Sequence, residues 1–251
     1  MSTKADNFAG YNNIYSLEDA LTAGFRALQI DVCDCGFCHR SCISGSRSAV
    51  GVSTGIVNFM KQHVNEVVII ELQVTDSKNA FLWGNWNKMV SVSGFKDLIY
   101  KHTNQQQAWP TLGELINANK LLITFQHDGG NCNVVGVCPP LIHNTFDYMW
   151  ETPFDLTGAA ELENYSLSCV VLRGPTNAAF GVSNHFTHGS SSGLSSEAVA
   201  SVVNTRLQVQ NRLNACNKVL PSHVNFIAVN FWNIAGTLQV VQAYNAGQSS
   251  K

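Results

Sequence analysis

Charge is scarce in this chain: 13% of its 251 residues are Asp, Glu, Lys or Arg, and the formal net charge is −2. No run of lysine or arginine occurs, which argues against a nucleic-acid partner and against a membrane grip made by charge alone. Long apolar runs are missing as well. The longest, such as residues 67–70 and 226–229, are strand-sized and fall far short of the roughly 20 residues that cross a bilayer as a helix. Proline is sparse, at six residues, and no internal repeat, low-complexity linker or composition shift marks a boundary. With 45% hydrophobic residues the chain can bury one sizeable core, so residues 1–251 are expected to form a single domain.

Cysteine is plentiful. The eight residues Cys33, Cys35, Cys38, Cys42, Cys132, Cys138, Cys169 and Cys216 are enough for four bridges and point to an oxidising, extracellular setting. The glycosylation triplet Asn164-Tyr-Ser166 is a weaker sign of the same compartment. Residues 1–7 carry no apolar segment of the kind a secretory signal needs, which conflicts with the cysteines. We resolve the conflict with the expectation that the chain, as given, begins late. Cys35-x2-Cys38-His39-x2-Cys42 could also offer thiolates and an imidazole to zinc, but the spacing is tight for paired knuckles and disulfides are the stronger reading.

Helix-like and strand-like segments alternate along the chain, which predicts an α/β architecture with mostly parallel strands. Ser16-Leu-Glu-Asp19 begins a short helix that Gly24 stops, and residues 25–32 follow as a strand. Helices are expected over residues 50–64, 81–101, 110–115, 195–214 and 238–245, and strands over 66–74, 121–126, 146–150, 179–186 and 225–232. Period-two alternation places Gln29 and Asp31 on one face of the first strand and Glu71 and Gln73 on one face of the next. Polar groups so placed need buried partners or a function. A carboxylate at a strand's carboxyl end, followed by a cysteine-pinned loop that carries His39, is equipped for acid–base or metal-assisted chemistry. Arg26 faces the other way and is expected to pair elsewhere. His185 with His188, Asn230 and Glu151 end later strands as further candidates, each with a structural reading beside the functional one. Phe81, Trp83 and Trp86 are spaced as helix core, although they could also touch lipid.

Gly24-x-Arg26-x-Leu-x-Ile-Asp31, the nearby Cys38-His39, Glu66-Val-Val-Ile-Ile, Trp109-Pro-Thr-Leu-Gly-Glu-Leu and Val229-Asn-Phe occur in that order. In this the chain resembles the X-type domain of phosphatidylinositol-specific phospholipase C, most closely its secreted, cysteine-containing branch. The resemblance runs from about residue 14 to about residue 247 and implies a distorted TIM-type (β/α) barrel that cleaves a phosphodiester. In such enzymes a first histidine draws a proton from the inositol 2-hydroxyl, the alkoxide forms a cyclic phosphate, and a second histidine protonates the leaving alcohol. His39 matches the second histidine, and Asp31 matches a calcium-ligand aspartate of the animal type. The resemblance therefore makes His39 and Asp31 the catalytic candidates, with Asp31 also a metal ligand. Gln29, Glu71, Gln73, His185 and Asn230 are the substrate-binding candidates.

The departures shape the expectation. Gln29 and Gln73 stand where animal members carry glutamates, so calcium, the one cofactor implied, should bind more weakly unless Glu71 compensates. The family's first histidine precedes the point where this chain begins, which predicts a barrel without its first strand and leaves activity open. Two readings follow: a phosphodiesterase acting on an inositol phospholipid or related diester, or a catalytically silent barrel that binds a phosphorylated headgroup. The partners expected are a phospholipid or phosphodiester substrate and the membrane periphery, with no nucleic acid and a monomeric state.

Overall fold

The computed structural model describes residues 3–74, 79–127, 139–189, 194–234 and 236–248. These residues divide into two compact units, Met1–Ala9 with Tyr15–Asp147, and Gly10–Ile14 with Tyr148–Lys251.

Alternating burial builds the first unit. Helix α1 (Leu17–Ala23) opens with the expected capping box, Ser16 bonding the Asp19 amide and Asp19 answering to Ser16, and Gly24 closes it at φ 113°. Strand β1 (Ala27–Cys33) follows, then a ribbon of β2 (Gly36–His39) and β3 (Ser41–Arg47). Arg47 returns to α1 as a two-pronged ion pair with Glu18, at 3.0 and 2.7 Å. Next come α2 (Ala49–Gln62), capped by Ser48, then β4 (Val68–Val74), α3 (Asn79–Val90), β5 (Ile99–Tyr100), α4 (Leu112–Asn117), β6 (Leu122–His127), β7 (His143–Asn144) and α5 (Thr145–Tyr148). One sheet runs β3-β2-β1-β4-β6-β5, and β7 also pairs with β6. All pairings from β1 through β7 are parallel except the β1–β2–β3 ribbon. Leu28, Ile30 and Val32 of β1 and Val68, Ile70, Leu72 and Val74 of β4 pack on Ile56, Met60, Leu82, Trp86 and Phe95 in one apolar cluster. Fully burying each such side chain is worth about 1.5–3 kcal/mol.

In the second unit, β8 (Met149–Glu151), α6 (Ala159–Glu163), α7 (Tyr165–Ser168), β9 (Phe180–Asn184), α8 (Glu197–Val203), α9 (Arg206–Val219), β10 (Phe226–Ala228) and α10 (Thr237–Gln248) surround a parallel sheet ordered β10-β9-β8. Trp150 is fully buried among Val209, Leu213, Val224 and Val240, and its indole N–H donates to Ser222 Oγ at 2.9 Å. The ring lies against Gly181, where a Cβ would come within 2.0 Å of it. Residues 10–14 join this unit through the amides of Phe231 and Trp232, which donate to Asn12 O and Asn13 Oδ1.

Several elements depart from the sequence reading. The helix expected over residues 81–101 ends at Val90. A turn with Gly94 at φ 86° then buries Phe95 against Trp86, and Ile99–Tyr100 pairs with β6. The helix expected over 195–214 is two, because Thr205 caps a new start by accepting from the Gln208 amide. Residues 146–150 divide between α5 and β8, and the strand over 225–232 stops at Ala228. The cysteine-pinned loop is a β-ribbon. Cys33 bonds Cys38, Cys35 bonds Cys42 and Cys169 bonds Cys216, which removes the thiolates a zinc site would need. Cys132 and Cys138 lie outside the described residues.

Candidate functional site

Residues in register on neighbouring parallel strands share a face, and the strands lie about 4.8 Å apart. Gln29 pairs with Glu71, and Asp31 with Gln73. Beta-strand 6 extends both rows, setting Phe125 beside Glu71 and His127 beside Gln73. One face of the sheet therefore carries a row Asp31–Gln73–His127 at the strands' carboxyl ends. Beneath it runs a row Gln29–Glu71–Phe125, continued by His143 on β7. Gln29, Asp31, Glu71 and Gln73 are half-buried, whereas the residues between them are sealed in the core. Amphipathic alternation has put four oxygen-bearing side chains on one surface.

His39 reaches this end of the sheet through the ribbon. Cys38 stands opposite Asp31, a bulge separates Cys38 from His39, and Arg40 turns the chain at φ 63°. The Arg40 amide donates to Asp31 Oδ2 at 3.2 Å, so the turn that follows His39 is tied to the carboxylate. Ser44 Oγ donates to the His39 carbonyl at 2.5 Å, and the Cys33–Cys38 and Cys35–Cys42 bridges flank the same segment. On the adjoining row Glu71 Oε1 accepts from Thr145 Oγ1 at 3.1 Å.

His127 did not stand out in the sequence. It is 1% exposed, and its ring is tilted against Phe146 with centroids 5.1 Å apart. The signal lay in the strand Leu-Ile-Thr-Phe-Gln-His: once β6 is placed beside β4, residue 127 must join the Asp31 row. His143 is different in kind. Its Nδ1–H donates to Thr124 O and its Nε2 accepts the His102 amide, both at 2.8 Å, which fixes one neutral tautomer. Burial, reinforced by the Lys101 cation, pushes its pKa down to about 3, so it is a structural imidazole at neutral pH. Trp109 of the Trp-Pro-Thr-Leu-Gly-Glu-Leu stretch stacks on His102 at 4.4 Å and packs on Phe125 and His143. Thr111 and Glu114 of the same stretch form the capping box of α4.

The donor set on this face suits a hard cation. Asp31 and Glu71 would supply two carboxylates and Gln29 and Gln73 two amide carbonyls, all oxygen, as calcium prefers. The one trio of metal-competent His, Cys, Asp or Glu side chains among the described residues, Asp34 with Cys35 and Cys42, is exposed and has both sulfurs in a disulfide.

The remaining candidates belong to the second unit or to the sheet's other face. His185 is 2% exposed. Its Nε2–H donates to Val203 O at 2.9 Å, and burial, then Arg212, lowers its pKa to about 4. Asn230 lies past β10, accepts from Asn204 Nδ2 at 2.7 Å and bonds Ser195 Oγ through its own amide. Glu151 ends β8, paired with Arg173 and bonded by Asn184 Nδ2 at 3.1 Å. Arg26 pairs with Glu66 at 2.9 Å and lies over Phe59, away from Asp31. Trp86 is core and Trp83 half-buried.

Residues 4–245 match the family model described as PI-PLC X 1. Over 155 residues, 59% of this chain, the sequence is 30% identical to the PI-PLC X domain-containing protein 1 of Arthroderma benhamiae (strain ATCC MYA-4681 / CBS 112371). That match covers 49% of the relative, so the chain spans about half its length. Among solved structures, the phosphatidylinositol-specific phospholipase C from Listeria monocytogenes is similar with a TM-score of 0.61. The likeness covers 94% of this chain and 83% of that one, at 15% identity. It carries the fold alone: α/β, a distorted barrel of the TIM type.

Proposed function

This chain belongs to the PI-PLC X family, and from that premise we propose that it cleaves an inositol phospholipid or a related phosphodiester on the polar face of its first unit. The observation that carries the reading is the register. Asp31, Gln73 and His127 form one row, Gln29 and Glu71 the next, and the amide of Arg40, which follows His39 in the disulfide-flanked ribbon, donates to Asp31. As the inositol 2-hydroxyl gives up its proton to solvent water and attacks phosphorus, His39 donates a proton to the departing alcohol oxygen, so the P–O bond to the leaving group breaks while the cyclic phosphate ester forms. Asp31 orients the ribbon turn through the Arg40 amide. Asp31 and Glu71, with the carbonyls of Gln29 and Gln73, would hold calcium, which when bound offsets charge on the phosphoryl oxygens.

Secretion belongs to the same proposal, supported by the disulfides at Cys33–Cys38, Cys35–Cys42 and Cys169–Cys216. So does contact with the membrane periphery, where such a substrate resides; among the described residues no helix is long and apolar enough to cross a bilayer.

The test is phosphorus NMR of the protein mixed with phosphatidylinositol vesicles and calcium. The expected product is a five-membered cyclic inositol phosphate, released as the lipid signal declines. Headgroup binding without any product would overturn the reading and leave a binding module.

A further inference from the structure

Asn164-Tyr-Ser166 is the sole Asn-x-Ser/Thr triplet in the chain, and the second unit sets it in a turn between α6 and α7. Asn164 and Ser166 are both exposed. The backbone of Asn164 holds the turn. Its amide donates to Ala160 O and Glu161 O, and its carbonyl accepts from the amides of Leu167 and Ser168 at 2.9 and 2.8 Å. Its side chain is bonded by Ser166, whose Oγ–H donates to Oδ1 at 2.7 Å. Among the described residues nothing bonds Nδ2. A substituent on that nitrogen would break no hydrogen bond of the fold and would extend into solvent.

The segment that follows presents apolar surface. Leu167, Val170 and Leu172 are each between 43% and 47% exposed, and residues 164–172 include no charged side chain. Leu167 stands three residues after Asn164, so the two neighbour each other on one face of the turn. Ser168 and Cys169 are buried, and the Cys169–Cys216 bridge pins the segment to α9. Gln208 donates to Glu163 at 3.0 Å, which holds the start of α9 beside the same turn, and the adjacent Leu207 is exposed. Uncovered, apolar surface of this kind favours self-association.

We infer that Asn164 carries an N-linked glycan and that the glycan covers this apolar strip. The inference rests on the secretion included in the proposed function, because such glycans are added along the secretory route. The co-reactant is an oligosaccharide carried on a lipid diphosphate. The bond from Nδ2 to the first sugar carbon forms, the bond from that carbon to the diphosphate oxygen breaks, and the diphosphate leaves with the electron pair while Nδ2 gives up one proton. The attached sugar is bulky and solubilising, and the C–H faces of its rings lie over Leu167 and Val170.

The test sends the full chain through the secretory route of a eukaryotic host behind a cleavable leader. The leader forces entry, so the result reads Asn164 and not the destination of the chain in its own cells, which its presence in their medium reads separately. Glycosidase treatment in heavy-oxygen water should lower the mass of the secreted protein and leave a heavy aspartate at position 164. Ser166→Ala should abolish that mass shift, and Ser166→Thr should keep it. Recovery of secreted protein with unmodified Asn164 overturns the inference. On concentration, Ser166→Ala should scatter several-fold more light than the glycosylated parent, and adding Leu167→Ser should bring the scattering back down. Scattering by Ser166→Ala equal to that of the parent overturns the covering role.

Discussion

Asp31 faces the open side of its strand while Ile30 and Val32 sink into the core, and the Arg40 amide fixes one of its oxygens. Replacing it with asparagine keeps the shape and the acceptor oxygen but removes the charge. Asp31→Asn should therefore lower turnover by about 10²-fold and abolish the rise in activity on adding calcium, measured by titrating calcium into a chelated assay. A variant that kept the parent's calcium response would mean that the charge serves only the ribbon. Alternation alone made this residue legible, together with Gln29, Glu71 and Gln73. His127 was not legible, because β6 is buried on both faces and its sequence does not alternate. Only the pairing with β4 reveals which way residue 127 points. His185 and Asn230 were both candidates at strand ends, and in the structure His185 Nε2–H donates to Val203 O, Asn230 Nδ2 bonds Ser195 Oγ and the Asn230 backbone carbonyl accepts from Asn204.

Among the elements, the ribbon of β2 and β3 is the least ordinary. It is short, bulged between Cys38 and His39, and held by two disulfides whose loops span only 5 and 7 residues. Bridges that close such short loops contribute about 2 kcal/mol, so their larger effect should be on where His39 sits. The double substitution Cys35→Ser with Cys42→Ser is expected to lower kcat at least tenfold while moving Tm by only a few degrees. Intact kcat would show that the bridge does not position the histidine. Removing Cys169–Cys216, which closes a separation of 47, should cost about 4 kcal/mol in denaturant unfolding. Element types were readable wherever apolar period and capping agreed, as in α1, α2 and α4. They failed where tertiary contacts override local pattern. Phe95 turns inward to meet Trp86, and Thr205 caps a second helix within a segment read as one. The cysteines announced a pinned loop, but spacing could not say that the loop would pair as strands.

At the scale of the whole molecule, buried neutral histidines link stability to pH. His143 in the first unit and His185 in the second have folded-state pKa values of about 3 and about 4, below the usual 6.5, chiefly through burial. Below pH 6.5 the unfolded chain takes up protons that the folded chain refuses, so stability falls as pH falls. Each histidine contributes a slope of about 1.4 kcal/mol per pH unit, down to about pH 4 for His185 and about pH 3 for His143. Urea midpoints between pH 7 and 4.5 should decline accordingly, whereas a flat profile would contradict the burial of both rings. The α/β class with mostly parallel strands follows from strand–helix rhythm and the barrel from the family resemblance, but the two-unit division of contacts left no mark in composition.

The account depends above all on the polar face of the first unit being where phosphorus is attacked. Comparing kcat/KM for a soluble fluorogenic inositol phosphodiester between the protein and His39→Ala tests this most directly. Loss of a positioned general acid predicts a fall of about 10²–10⁴-fold with the melting temperature nearly unchanged. Turnover by His39→Ala within twofold of the parent would place the chemistry elsewhere.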